Sequence, residues 1–173
     1  MDLSNIKAFV FDVDGVLTDG AVHVDSNGEF YRSFNEKDLF ALRMAAMNSF
    51  ILGIITGGSA SCISAGLAKC GIKQEDIYKK SRDKIKDFNT FCQMHGLNHN
   101  EVMYFGDDVP DVEVLNFCGA GVCPADACDE AKQVSQIIAT KAGGKGCVRE
   151  LIETTLRVQH KWIFDKKIYS AMF

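Results

Sequence analysis

Continuous apolar runs of strand length, each broken off by polar residues, set the pattern of this chain. Ala8-Phe-Val-Phe11 stops at two carboxylates one residue apart, Asp12 and Asp14, with Gly15 behind them. A short run without polar alternation reads as a strand covered on both faces. Phe50 to Ile55 repeats the pattern and ends in Thr56-Gly57-Gly58, Asp76 to Tyr78 is a shorter third strand, and Val102 to Phe105 ends in Gly106-Asp107-Asp108. Ala120 to Cys123 and Gln136 to Ala139 complete the set. Helical spacing fills the intervals. Asp38 is placed to cap a helix carrying Leu39, Leu42, Met44 and Met47, and Ser59 opens another that stops at Cys70-Gly71. Further helices run from about Arg82 to His95, from Pro110 to Gly119, from Asp126, and from Cys147 to about Gln159. Asn98 to Glu101 has capping-box spacing, but the strand-like residues after it make that signal local. Only residues 19–34 alternate in the manner of a hairpin, with Val22 and Val24 before Asp25-Ser-Asn-Gly28 and Phe30 and Tyr31 after it.

Strands and helices in strict alternation predict an α/β fold: a three-layer, Rossmann-like parallel sheet with helices on both faces, whose ligands lie beyond the carboxyl ends of the strands. The expected organisation is one domain over residues 1–173, with a small hairpin flap at about 19–34, no cap domain, and a tail at about 160–173. That tail, with Trp162-Ile-Phe164 and Ile168 to Phe173, is apolar enough to pack on its own domain or on a neighbour.

Composition narrows the functions. With 47% hydrophobic residues the 173-residue chain can bury a sizeable core, and a net charge of −4 offers no basic stripe for a nucleic-acid backbone. No apolar run reaches the ~18–20 residues of a membrane span, and Met1-Asp-Leu-Ser lacks the layout of a signal peptide, so a cytoplasmic protein without membrane partners is expected. The 7 cysteines contain no Cys-x-x-Cys and lie mostly in apolar surroundings, as reduced core thiols do.

The candidate chemistry collects at the strand ends. Ionised carboxylates beside a buried strand need a cation or hydrogen-bonded partners, and Asp12, Asp14, Asp107 and Asp108 are brought together by the predicted topology. Thr56 and Lys84 join them, supplying a hydroxyl and an ammonium for the charge of a transferred group. In that order the residues describe phosphoryl transfer: Asp12 as nucleophile, Asp14 as general acid and base, and Mg²⁺ held by carboxylates. An EF-hand fails because Val16 and Leu17 fall where ligating oxygens belong. Gly66 and Gly71 have P-loop spacing, but Ile72 replaces the lysine.

Asp12-Val-Asp-Gly-Val-Leu-Thr18, Ile55-Thr-Gly57, Lys84 and Gly106-Asp-Asp-Val-Pro-Asp111 together resemble the four motifs of the haloacid dehalogenase superfamily of phosphohydrolases, over residues from about 6 to 150. The resemblance implies magnesium on Asp12, on the main-chain oxygen of Asp14 and on Asp107, with Asp108 beside them. Asp19-Gly20, the flap, Asn35-x-x-Asp38 and Gly143-Gly-Lys-Gly146 are similar to the cap-less branch that includes phosphatases of 3-deoxy-D-manno-octulosonate 8-phosphate and of nonulosonate (sialic-acid-type) phosphates. That branch implies a small-molecule sugar-acid phosphate as substrate, with Asn35, Asp38, Arg43, Gly57 and Lys80 as binding residues. It also implies a homotetramer whose flaps pack centrally. Gly58, Gly66 and the Lys79-Lys80 pair stand where the octulosonate phosphatases usually carry arginine, arginine and Gln-Gly, leaving Lys79, Lys80 or Arg82 to restore the charge. A signalling receiver domain has similar residues in another order, with lysine last, whereas here Lys84 precedes the second acidic pair.

Overall fold

The computed structural model describes residues 2–28, 30–58 and 66–173. Six strands form one parallel sheet: β1 (Ala8–Phe11), β4 (Ile51–Ile55), β5 (Ile77–Tyr78), β6 (Val102–Phe105), β7 (Ala120–Cys123) and β8 (Ile137–Ile138), in the order β5-β4-β1-β6-β7-β8. The four residues of β1 are fully buried because neighbours flank it on both edges and helices cover both faces. Phe9 and Phe11 point into one core with α1 (Glu36–Met47) and α5 (Cys147–Val158). Ala8 and Val10 point into the other, against α2 (Lys84–His95), α3 (Val112–Phe117) and α4 (Asp129–Val134). Each buried Phe or Leu contributes roughly 1.5–3 kcal/mol, so the two cores hold the sheet without help from the polar site.

The hairpin is smaller than its sequence suggests. β2 (His23–Val24) and β3 (Phe30–Tyr31) pair antiparallel over two residues each, and Val22, Val24, Phe30 and Tyr31 are all about half exposed. Among the described residues no cap domain covers the sheet end. The chain closes with α6 (Lys166–Met172), capped by Asp165, and Trp162 and Tyr169 pack against the core beside α1. The tail therefore docks on its own domain, with Arg149 stacked over the Trp162 ring at 4.6 Å.

Several boundaries shift for local reasons. Asn35, not Asp38, caps α1, its side chain accepting from the Lys37 N–H, because Asp38 is drawn inward. Asp83 caps α2 and Cys128 caps α4, so both helices start later than predicted. Pro110 is the second residue of a 3₁₀ turn, Val109–Asp111, before α3. The helix start expected at Ser59 lies outside the described residues.

Candidate active site

Register builds the site. Phe11 pairs with Phe105, so the next residues out on β1 and β6 emerge side by side, and the Asp12 N–H is held by the Phe105 carbonyl at 2.9 Å. Asp107 follows at the end of β6. A Cβ on Gly15 would lie 2.0 Å from Asp107 Oδ2, and Gly15 has φ +85, so only glycine lets the first acidic turn pass against the second strand end. The loop at 143–146 closes behind this turn, where a Cβ on Gly143 would fall 1.9 Å from the Gly15 carbonyl oxygen.

Asp12, Asp107 and Asp111 each present a carboxylate oxygen within 4.8 Å of the others. One ammonium answers them. Lys84 Nζ lies 2.7 Å from Asp111 Oδ1 and 3.3 Å from Asp12 Oδ2. Burial pulls the Lys84 pKa down, but Asp12 and Asp111 beside it outweigh that and the net shift is upward. Burial and then Asp111 push Asp12 up to about 7 against the pull of Lys84, and burial, Asp12 and Asp111 push Asp107 up to about 7. Asp111 is already satisfied: its Oδ1 also accepts from Tyr104 Oη at 2.5 Å, and its Oδ2 faces the backbone N–H groups of Asp107 and Asp108 at 3.4 Å. Asp12 Oδ1 and Asp107 Oδ1 are buried and have no hydrogen-bond partner. Two unmatched carboxylate oxygens in a site with excess negative charge fit a hard divalent cation, and the all-oxygen donor set suits magnesium.

The pocket in front of this centre has a volume of about 930 Å³ and includes Asp14, Thr56, Gly57, Asp108 and Lys84 in its wall. Thr56 is buried and its Oγ1 accepts from the Gly58 N–H at 3.1 Å, which leaves the hydroxyl proton to donate into the pocket. One metal expectation changes, that for Asp108; the contact expected of Asp14 is through its main-chain oxygen, which the placement of its carboxylate leaves untouched. The Asp14 carboxylate is held by the flap's Arg32, Nε to Oδ1 at 2.5 Å and Nη2 to Oδ2 at 2.9 Å, and does not join the buried trio. Asp108 instead caps the following 3₁₀ turn, its Oδ1 accepting from the Val109 N–H at 2.8 Å. Asp111 completes the trio of side-chain carboxylates with Asp12 and Asp107.

Four expected substrate contacts are placed elsewhere. Asn35 caps α1 and donates to the Gly144 carbonyl at 3.1 Å. Asp38 is fully buried and accepts from the Gly146 and Arg149 N–H groups at 3.1 and 2.7 Å, tying α1 to the first turn of α5. Arg43 pairs with Glu36 and approaches Cys70 Sγ. Lys80 is exposed, has φ +56, and turns its backbone N–H to Gly58 rather than its side chain into the pocket. Gly57 does line the pocket, as do Ser81 and Arg82, so Arg82 is the one of the three candidate replacement cations to reach it. Asp111 was legible as the last acid of its motif, four residues after Asp107. A tyrosine in the apolar run before it, with a hydroxyl to satisfy, was the remaining clue to the Asp111 network. Arg32 carries no such signal.

A family model of haloacid dehalogenase-like hydrolases matches residues 62–151. The chain is 32% identical over 157 residues to the 3-deoxy-D-manno-octulosonate 8-phosphate phosphatase of Escherichia coli (strain K12), covering 91% of this chain and 82% of that protein. It is 32% identical over 164 residues to the phosphatase of the same name from Haemophilus influenzae, covering 94% and 90%. The crystal structure of the Moraxella catarrhalis phosphatase in complex with a magnesium ion, a phosphate ion and a KDO molecule matches with a TM-score of 0.89 at 32% identity, over 92% of this chain and 91% of that one. The cobalt-bound form of the Haemophilus influenzae protein matches with a TM-score of 0.88 at 30% identity, over 98% of both chains.

Proposed function

This chain belongs to the haloacid dehalogenase-like hydrolases, and from that premise we propose that it is a Mg²⁺-dependent phosphatase of 3-deoxy-D-manno-octulosonate 8-phosphate, releasing the sugar acid and inorganic phosphate. The observation that carries the reading is the pair of buried, unmatched oxygens on Asp12 and Asp107 beside Lys84. Asp12 and Asp107 are the residues to hold the metal, which when bound supplies positive charge against the phosphoryl oxygens. The Asp12 carboxylate attacks phosphorus as the bond to the sugar oxygen breaks, giving an aspartyl-phosphate. Asp14, protonated once its ion pair with Arg32 opens, gives its proton to the departing oxygen, then takes a proton from the water that releases phosphate and regenerates Asp12. Thr56 Oγ1 and Lys84 Nζ take charge from the transferred group. Asp111, fixed by Tyr104, positions Lys84.

The whole chain, 1–173, serves as one catalytic domain in the cytoplasm. Among the described residues no helix is long and apolar enough to cross a membrane. The half-exposed flap residues Val22, Val24, Phe30 and Tyr31 support assembly as a homotetramer, since among the described residues no domain covers the site. Sedimentation at micromolar concentration should then report about four times the 19.1 kDa chain mass; a fully active monomer would end that part of the reading. The function itself is tested by assaying purified protein with Mg²⁺ on octulosonate 8-phosphate, nonulosonate 9-phosphates and neutral hexose phosphates. The highest kcat/KM is expected on the octulosonate ester. A higher value on a nonulosonate ester would move the substrate, and no turnover of any ester would remove the enzyme.

A further inference from the structure

Lys84 and Arg82 are the only cationic side chains lining the pocket among the described residues, and they are placed for different work. Lys84 is neutralised by Asp12 and Asp111 at the floor. Arg82 stands at the mouth, exposed, with no ion pair to any described residue. The backbone around it is pinned on both sides: the Ser81 N–H donates to the Thr56 carbonyl at 3.0 Å, the Lys80 N–H to the Gly58 carbonyl at 3.0 Å, and Asp83 caps α2 through the Lys86 N–H at 3.1 Å. The side chain folds back over the Gly57-Gly58 turn, its Nη1 lying 3.6 Å from where a Cβ on Gly57 would be. With glycine at both turn positions, no side chain separates the guanidinium from the pocket.

A second group in the wall of the same pocket points to a ligand. Ser81 is only 8% exposed and lines the pocket, yet its Oγ has no hydrogen-bond partner. A buried hydroxyl left in that condition is destabilising unless something in the pocket completes it. The remainder of the mouth is acidic, with Asp14, Asp108 and Glu113 in the wall. A substrate with a second anionic group would be repelled there without a fixed cation.

We infer that Arg82 and the Ser81 hydroxyl form the subsite that receives the carboxylate of the substrate and so select sugar-acid phosphates over neutral ones. The inference rests on the function proposed above. An arginine fork can take both carboxylate oxygens in one plane, which a lysine cannot reproduce. Arg82 acts on binding rather than on the transferred phosphoryl group, so its signature is in KM and not in kcat.

The test compares wild type, Arg82→Gln, Arg82→Lys and Ser81→Ala with Mg²⁺ on octulosonate 8-phosphate and on p-nitrophenyl phosphate, which lacks a carboxylate. Arg82→Gln should lose at least tenfold more kcat/KM on the sugar-acid ester than on the aryl ester, through KM. Arg82→Lys should recover part of that loss, and Ser81→Ala should lose a few-fold in the same direction. Free octulosonate, added as an inhibitor of aryl phosphate turnover, should need at least tenfold higher concentration against Arg82→Gln. Equal losses on both esters, or a wild-type preference kept intact in Arg82→Gln, would overturn the subsite while leaving the function standing. A wild-type protein that cleaves the aryl ester but neither prefers nor is inhibited by the sugar acid would overturn the proposed substrate and the subsite with it.

Discussion

Two of the places where this molecule buries aspartate do so in opposite ways. At the junction of α1, the 143–146 loop and α5, the Asp38 carboxylate is fully buried and receives two backbone N–H groups, one of them in the first turn of α5, where the helix dipole also favours negative charge. Burial raises its pKa, and the Arg149 and Gly146 N–H groups act against that shift. At the ends of β1 and β6, the buried Asp12 and the half-buried Asp107 each keep one buried oxygen unmatched, beside a third carboxylate and a single ammonium. The first arrangement is complete and gives stability. The second is incomplete within the protein, and the function proposed above supplies the cation and phosphoryl group that would complete it. Burial alone does not separate the structural aspartate from the functional one; the state of its lone pairs does.

The widest separation between the two is expected from removing each acid in turn. Asp12→Asn should reduce phosphatase activity to background while the thermal unfolding midpoint stays the same or rises, since the amide removes a like-charge repulsion along with the nucleophile. Near-normal turnover by Asp12→Asn would break the covalent mechanism. Asp38→Ala should do the reverse. Losing two hydrogen bonds to a charged acceptor should cost about 2–4 kcal/mol, lowering the midpoint by about 2–4 °C per kcal/mol, with kcat of the folded protein within a few-fold of wild type. A large kcat loss at unchanged stability would return Asp38 to the substrate site.

A smaller effect should appear in the pH dependence of stability of metal-free protein. Burial and the neighbouring carboxylates push Asp12 and Asp107 up to about 7 in the folded protein, against 3.8 for an ordinary aspartate. The folded state therefore binds more protons than the unfolded state between those values. These groups disfavour folding progressively as pH rises from about 4 through about 7, by linkage. Chelated protein should melt at a higher temperature at pH 5 than at pH 8, and Mg²⁺ should raise the pH 8 midpoint more than the pH 5 one. A metal-free midpoint that climbs over this range would contradict the unmatched state of the acidic centre.

The strand runs and the positions of Asp12, Thr56, Lys84 and Asp107 are legible in the chain because each depends on local pattern: an apolar run of strand length, then a polar residue at its end. Parallel pairing then follows from the helices between the strands, and it places all the strand ends on one edge of the sheet. Asp38, Asn35 and Arg43 misled for the same reason that helical periodicity succeeds. Spacing says which residues share an element, but not whether a polar side chain turns toward a pocket or toward a backbone N–H more than a hundred residues away, as Asp38 does. Arg32 is likewise separated from Asp14 by a hairpin whose register no short-range signal sets.

By itself, then, the sequence determined the parallel α/β architecture, the acidic strand ends and the order of the polar groups that follow the strands, because these follow from hydrophobic run length and from residues fixed at run ends. Only the tertiary structure decided which acids complete one another. It put Asp111 with Lys84 and Tyr104, Asp14 with Arg32, Asp38 with the start of α5, and Arg82 over the Gly57-Gly58 turn. A hydrogen bond is a matter of angles and tenths of an ångström between groups distant in the chain, and those are set when the two cores pack, not by the order in which the residues are written.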